Sequence, residues 1–130
     1  MPIFQLEILN SNMDIEALRQ YCLAKKAVTE GLPFGDTVLV FKVADKMFAL
    51  MPLDTEGASI SLKCDPERAI DLREQHPEHI AGAYHLNKKH WNSVICDTGL
   101  GDRLIQELID RSYDLVVKSL PKAAQAALND

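Results

Sequence analysis

Residues 84 to 92 carry an unusual concentration of side chains that could bind a ligand. They include two histidines, two lysines, two asparagines, a tyrosine and the only tryptophan of the chain. Lysines contact phosphates, asparagine amides contact phosphates or base edges, and aromatic rings stack on bases. No acidic residue occurs from residue 79 to 96, although the chain contains 19. The segment therefore indicates a candidate DNA-binding surface made of Tyr84, His85, Asn87, Lys88, Lys89, His90 and Asn92.

A structural interpretation of the same segment stays open. A lysine pair such as Lys88 and Lys89 is typical of a solvated hairpin turn, and a tryptophan at the start of a strand is often a core anchor. Trp91 alternates with Ser93 and Ile95 in a short strand that needs apolar cover. We therefore expect the ring of Trp91 to lie in the core, and stacking on a base is the alternative.

Other kinds of chemistry lack a motif. Cys64 and Cys96 lie at strand ends among apolar neighbours, and no nucleophile motif surrounds them. All four histidines fall within residues 76–90, but their spacing suits no single metal site, and Lys88-Lys89 would repel a divalent cation. No glycine-rich loop that could hold phosphates precedes a helix. We expect a protein that is not an enzyme, with no metal and no cofactor.

The composition is that of one soluble globular domain. The chain has 130 residues, of which 47% are hydrophobic and 25% charged, and its net charge is -5. This charge provides no overall attraction to nucleic acid or to an anionic membrane. No apolar run approaches the ~18 residues of a membrane span. The three cysteines are odd in number and far apart, which favours reduced thiols and a cytoplasmic location.

Hydrophobic periodicity and turn residues divide the chain into helices and strands. Apolar residues at helical spacing predict helices over 13–28, 66–75 and 102–120. Asp65 is expected to cap the second helix, with Pro66 at its first position. Alternating or β-branched stretches predict strands over 37–43, 46–50, 59–64, 83–86 and 91–96. The two-residue connection Ala44-Asp45 predicts a tight hairpin between the first two strands.

This order, α-β-β-β-α-β-β-α, predicts an α+β two-layer sandwich. Hairpin-linked strands form a mostly antiparallel sheet, and the amphipathic helices must cover one of its faces. Residues 1–12 precede every apolar stripe of the pattern, so we expect the domain to fold without them. An edge strand, a partner-binding arm or an extension would each fit this segment.

Several motifs of the chain are similar to those of a known family. Residues 13–122 resemble the MmcQ/YjbR family of small bacterial proteins, in order and over about 110 residues. The resemblance rests on the stretches LRQYCLAKK from Leu18, PFG from Pro33, FKV from Phe41, KMFA from Lys46, LKCDPERA from Leu62, YHLNKKHWN from Tyr84 and SYDLVV from Ser112. It makes residues 1–12 an N-terminal extension and residues 123–130 a C-terminal tail.

The resemblance implies a fold similar to that of type III secretion chaperones and a DNA-binding role without catalysis, in which two β-hairpins act as wings. On this basis we expect Lys63 to join the 84–92 segment in contacting phosphates, together with Lys42 and Lys46 on the first hairpin. Relatives often end in a lysine-rich tail, whereas residues 121–130 contain one lysine, which weakens the expectation of tight DNA binding. The alternative is a protein-binding module, chaperone-like or dimerising. The oligomeric state is not predicted.

Overall fold

The computed structural model describes residues 13–83 and 86–128. Predictions that concern residues 1–12, Tyr84 and His85 therefore lie outside the described residues. The elements follow in the order α1 Ile15–Leu23, β1 Val28–Gly31, β2 Val38–Val43, β3 Lys46–Pro52, β4 Ser59–Lys63, α2 Pro66–Gln75, β5 Ile80–Gly82, β6 Trp91–Ile95, α3 Asp102–Lys118 and α4 Lys122–Leu128.

The six strands form one antiparallel sheet in the order β1-β2-β3-β4-β6-β5. The predicted hairpin between β2 and β3 is confirmed, and its turn residues Ala44 and Asp45 have positive φ angles of 49° and 65°. Two left-handed residues in succession are the geometry of a tight hairpin turn whose twist matches that of the strands. The fold is therefore the predicted α+β class, with an antiparallel sheet.

A bulge changes which side chains of β3 face the helices. Phe41 pairs with Ala49 and Lys42 with Met47, so Phe48 is the extra residue of β3. Both Phe48 and Ala49 consequently join the core under the helices, and Leu50 points to the opposite face. The carbonyl of Phe48 accepts a hydrogen bond from the Ser112 hydroxyl of α3.

Helices α1, α2 and α3 cover one face of the sheet. The shared core contains Leu18 of α1, Leu72 of α2 and Ile109 of α3, packed on sheet residues that include Phe41 and Ile60. Burying about a dozen large side chains in one cluster supplies the main stabilising term of such a domain. In β4, Ile60 and Leu62 are buried, and Cys64, which follows the strand, is partly buried against the core.

Four local features differ from the predictions. The first helix ends at Leu23 rather than Val28; a turn follows in which Ala27 has a φ of 62°, and Val28–Gly31 then pairs with β2. The strand expected over 83–86 is Ile80–Gly82 instead. Residues 123–128 of the expected tail belong to a helix, α4, that begins at Lys122. Asp65 precedes α2 as expected, but its side chain makes no capping hydrogen bond.

Candidate functional site

The sheet register places five lysines at the same end of the sheet. Lys46 pairs with Val43 next to the β2–β3 turn, and Lys42 pairs with Met47. Lys63 is the last residue of β4 and pairs with Trp91, the first residue of β6. Because Ala49 pairs with Leu62 in antiparallel register, Lys63 continues toward the start of β3. Lys88 and Lys89 lie in the turn that leads into β6 and so belong to the same end of the sheet. We call Lys42, Lys46, Lys63, Lys88 and Lys89 the lysine end.

These lysines take no part in the ion pairs found among residues 13–83 and 86–128. Those pairs join Arg19 to Glu16 and Glu30, Lys25 to Asp110, and Arg68 to Glu107. Lys46, Lys88 and Lys89 are exposed, and Lys42 and Lys63 are partly exposed. Phosphate contacts at this end would therefore not have to break an existing protein ion pair.

The segment that carries Lys88 and Lys89 is attached to helix α2. The guanidinium of Arg73 donates to the Lys88 carbonyl. The aliphatic part of the Lys88 side chain lies over Gly82, where a Cβ would come within 3.2 Å of it. The Asn87 side chain accepts from the Lys89 N–H at 2.9 Å. These contacts fix the backbone of the turn and leave the two ammonium groups at the surface.

Asn87 and His90 also serve the backbone of this turn. The carbonyl of Asn87 accepts from the N–H groups of His90 and Trp91, and the carbonyl of His90 accepts from Cys64 N–H at 2.8 Å. The His90 side chain is partly exposed and that of Asn87 is exposed. Both remain available on the surface next to the lysine end.

Asn92 lies in the interior, although it was predicted as part of the binding surface. Its residue is 2% exposed, and its amide accepts from Arg73 Nε at 2.7 Å and donates to the Ala69 carbonyl at 3.3 Å. Both ends of the amide are thus engaged with helix α2. The side chain joins sheet to helix and does not reach the surface on which the lysines lie.

Trp91 does not lie in the core, so that prediction is wrong. The residue is partly buried and lies on the sheet face opposite the helices, together with Ser93 and Ile95. The alternation of these residues was recognised correctly, but Asn92 and Val94 are the members of β6 that face the helices. Trp91 thus presents part of its ring beside Lys63.

The face of the sheet opposite the helices contains a groove that the sequence analysis missed. Its cavity has a volume of about 490 Å³ and is lined by Phe34, Val38, Leu50, Pro52, Ser61, Ala83, Leu86 and Ser93. The floor is a row across three strands, because Leu50 pairs with Ser61 and Ser61 pairs with Ser93. Phe34, which is 61% exposed, and Leu86 come from two separate loops.

A second polar cluster joins α1 to α3 and is structural. Asp110 accepts from the Tyr21 hydroxyl at 2.8 Å and pairs with Lys25 at 2.5 Å. The Lys25 ammonium lies 5.3 Å and 5.2 Å from the ring centroids of Tyr21 and Tyr113. Burial, and then the hydrogen bond to Asp110, raises the pKa of Tyr21 to about 12. The cluster does not line the groove, and its groups are paired with each other.

The cysteines are unsuited to nucleophilic chemistry. Cys22, Cys64 and Cys96 are free thiols, and the first and last are buried. Burial raises the pKa of Cys22 and of Cys96 to about 12 and also raises that of Cys64. A thiol with a raised pKa carries little of the reactive thiolate near neutral pH. Within the described ranges, no group of three His, Cys, Asp or Glu residues could hold a metal ion, and no helix there is long and apolar enough to cross a membrane.

Fold and surface together define a small α+β domain, with one helix-covered sheet face and one face that carries a groove beside several lysines. A family model described as YjbR matches residues 23–115. The protein YjbR of Escherichia coli K12 is 36% identical over 116 residues, which cover 89% of this chain and 98% of that protein. The chain therefore belongs to the YjbR family.

Two crystal structures have the same fold. The Deinococcus radiodurans protein DR2400, described as a DUF419 domain, is 39% identical to this chain, with a TM-score of 0.85 over 92% of this chain and 90% of that one. A Pseudomonas syringae protein is 29% identical, with a TM-score of 0.69 over 79% of this chain and 98% of that one. The predicted family and fold class are thereby confirmed.

Proposed function

We propose that this domain is a non-catalytic, cytoplasmic DNA-binding module whose lysine end contacts phosphates. The observation that carries the proposal is the convergence of Lys42, Lys46, Lys63, Lys88 and Lys89 at one end of the sheet, from three separate segments. Their ammonium groups have no carboxylate partner in the ion pairs of the described residues. A cationic patch of this kind can attract DNA locally even though the whole chain has a charge of -5.

Two turns project at this end of the sheet, and lysines on or beside each of them could contact a DNA backbone. The Ala44-Asp45 turn projects between Lys42 and Lys46, and residues 86–90 form the second projection before β6. Exposed lysines on fixed turns provide phosphate contacts that position a protein without reading sequence. Asn87 and His90, which lie on the second turn, can add polar contacts.

A salt titration tests the proposal directly. Fluorescence anisotropy with a labelled duplex of random sequence should show binding at low salt that weakens linearly in log affinity against log salt. Lys88→Ala and Lys89→Ala should each reduce this slope by about one unit. Lys122→Ala is the matched control, because Lys122 is exposed on α4, outside the lysine end. If all three variants bind as the parent does, or the parent binds no DNA at low salt, the proposal fails.

A protein-binding module is the second candidate, and the observation that favours it is the exposed apolar surface around the groove. Phe34 is 61% exposed and Ile95 is 40% exposed. Exposed apolar side chains that cluster on one face often mark an interaction site. Binding to an apolar protein surface would change little between low and high salt, whereas phosphate contacts would weaken steeply.

A further inference from the structure

The groove on the open sheet face lies next to the lysine end. Lys63 follows Ser61 by two residues on β4, so both project from the same face about 7 Å apart along the strand. Trp91 and Ser93 have the same relationship on β6, and Ser61 pairs with Ser93. The next residue pair on this face is Lys63 with Trp91. A ligand in the groove would therefore have a cation and an aromatic ring beside it.

The lining of the groove suits flat, mainly apolar groups. Phe34 and Leu86 offer apolar side chains above a floor that contains Leu50. Ser61 and Ser93 add two hydroxyls, each of which can donate or accept a hydrogen bond. The volume of about 490 Å³ lies within the ~300 to 1,000 Å³ typical of ligand sites. Nucleobases combine a flat apolar face with polar edges, and such faces stack on aromatic side chains.

The positive charge of Lys63 and the neighbouring lysines favours a nucleic-acid strand over an apolar peptide in the groove. An apolar peptide could fill the groove but would leave Lys63 and its neighbouring lysines without a partner. A single nucleic-acid strand presents a base and a phosphate on every nucleotide, so a base in the groove can coexist with a phosphate at Lys63. A duplex cannot do this, because its bases are stacked and paired inside the helix.

We propose that the groove binds unpaired nucleotides of single-stranded DNA, with the bases against Phe34 and Leu86 and the phosphates at the lysine end. This inference rests on the proposed function and adds the class of nucleic acid. DNA rather than RNA follows from the proposed function on which this inference rests.

The test compares three labelled probes on the full chain at low salt: a 12-residue oligo-dT, an oligo-dT·oligo-dA duplex of the same length, and a 12-residue oligo-U. We expect the single-stranded DNA to bind at least about tenfold more tightly than the other two. Phe34→Ala should weaken oligo-dT binding by about 5- to 150-fold and leave duplex binding unchanged. Ile70→Ala is the matched control, because Ile70 is 54% exposed on α2 and does not line the groove.

The possible outcomes separate this inference from the proposed function. Equal affinity for oligo-dT and duplex, with Phe34→Ala unchanged, would overturn the groove assignment and leave DNA binding through lysines intact. Binding of oligo-U as tight as that of oligo-dT would overturn the choice of DNA over RNA. If the parent binds none of the three probes, both the inference and the proposed function fail. Circular dichroism of Phe34→Ala checks the fold, which an exposed loop side chain should not affect.

Discussion

Ser112 of helix α3 joins two strands of the sheet by donating a 2.6 Å hydrogen bond to the carbonyl of Phe48. Its hydroxyl also accepts from the N–H of Lys63 at 2.8 Å. The β3–β4 register pairs Ala49 with Leu62 and Leu50 with Ser61, and the bulge at Phe48 interrupts it beyond that point. A helix side chain thus occupies the gap between β3 and β4 and fixes the backbone of Lys63 at the lysine end.

The first prediction concerns Ser112→Ala. The substitution leaves the Phe48 carbonyl and the Lys63 N–H without their shared partner in a fully buried position. An unsatisfied buried group costs about 1–3 kcal/mol, so the free energy of unfolding in urea should fall by about that amount. Ser119→Ala is the control and should cost less, because Ser119 is exposed at the end of α3 and water can replace the bond from its hydroxyl to the Val116 carbonyl. A loss as small as the control's would mean that the hydroxyl does not bridge the strands.

The second prediction concerns Asn92→Ala. It leaves Arg73 without the carbonyl that accepts from its Nε, at a residue that is 2% exposed. We expect a loss of about 1–3 kcal/mol in the free energy of unfolding, since the bond involves a charged donor. Lys89→Ala, in the same segment, should change stability by less than about 0.5 kcal/mol. Equal effects of the two variants on chemical denaturation would contradict the buried position of Asn92.

Local sequence signals predicted most of the helices and strands, because the starts, turns and periodicity of these elements depend on residues that are neighbours in the sequence. Ala44-Asp45 specified a two-residue turn, and Pro66 followed Asp65 at the start of α2 as expected. Strand β1 was missed, since residues 24–27 continue the composition of a helix although the helix ends at Leu23 and a turn with a left-handed Ala27 follows. Pairing with β2 then stabilises Val28–Gly31 as a strand, which is a tertiary effect that overrides local propensity.

The site was only partly predictable for a related reason. The lysine-rich segment was visible in the sequence. In contrast, no local signal shows that the Asn92 side chain bonds to Arg73, nineteen positions earlier in the chain. The groove combines Phe34 with Leu86 through the sheet register, so no single stretch encodes it. The alternation along β6 predicted correctly that Trp91 and Ser93 lie on the same face of the sheet. It could not show which face the helices cover.

The third prediction concerns alkaline pH. Burial raises the pKa of Cys22 and of Cys96 to about 12, against 9.0 for an unburied thiol. The folded state therefore holds these protons more tightly than the unfolded state. Their contribution to stability is fully present below pH 9 and is lost as pH rises toward 12, by up to about 1.4 kcal/mol per pH unit for each thiol.

Urea unfolding in the presence of reductant, measured at pH 8 and at pH 10.5, checks this dependence. The parent should lose stability at the higher pH, and Cys22→Ala should lose less. Tyr21→Phe separates the contribution of the phenol, whose raised pKa acts with the same sign. A parent and a Cys22→Ala variant with identical losses between the two pH values would show that the buried thiol is not responsible.

The last prediction concerns Trp91, which lies on the open sheet face beside Lys63. Because the ring is partly exposed, Trp91→Ala should cost about 1–2 kcal/mol of stability, less than the ~3–5 kcal/mol expected for a core aromatic. Phe48→Ala is the reference, since Phe48 is fully buried and makes an edge-on contact with Tyr113 at 5.4 Å between centroids.

If the groove holds bases, Trp91→Ala should also weaken oligo-dT binding by about 1–3 kcal/mol while the fold survives. A stability loss equal to that of Phe48→Ala would show that the ring is buried in the core. Unchanged oligo-dT affinity in a folded variant would show that Trp91 is not part of the binding surface.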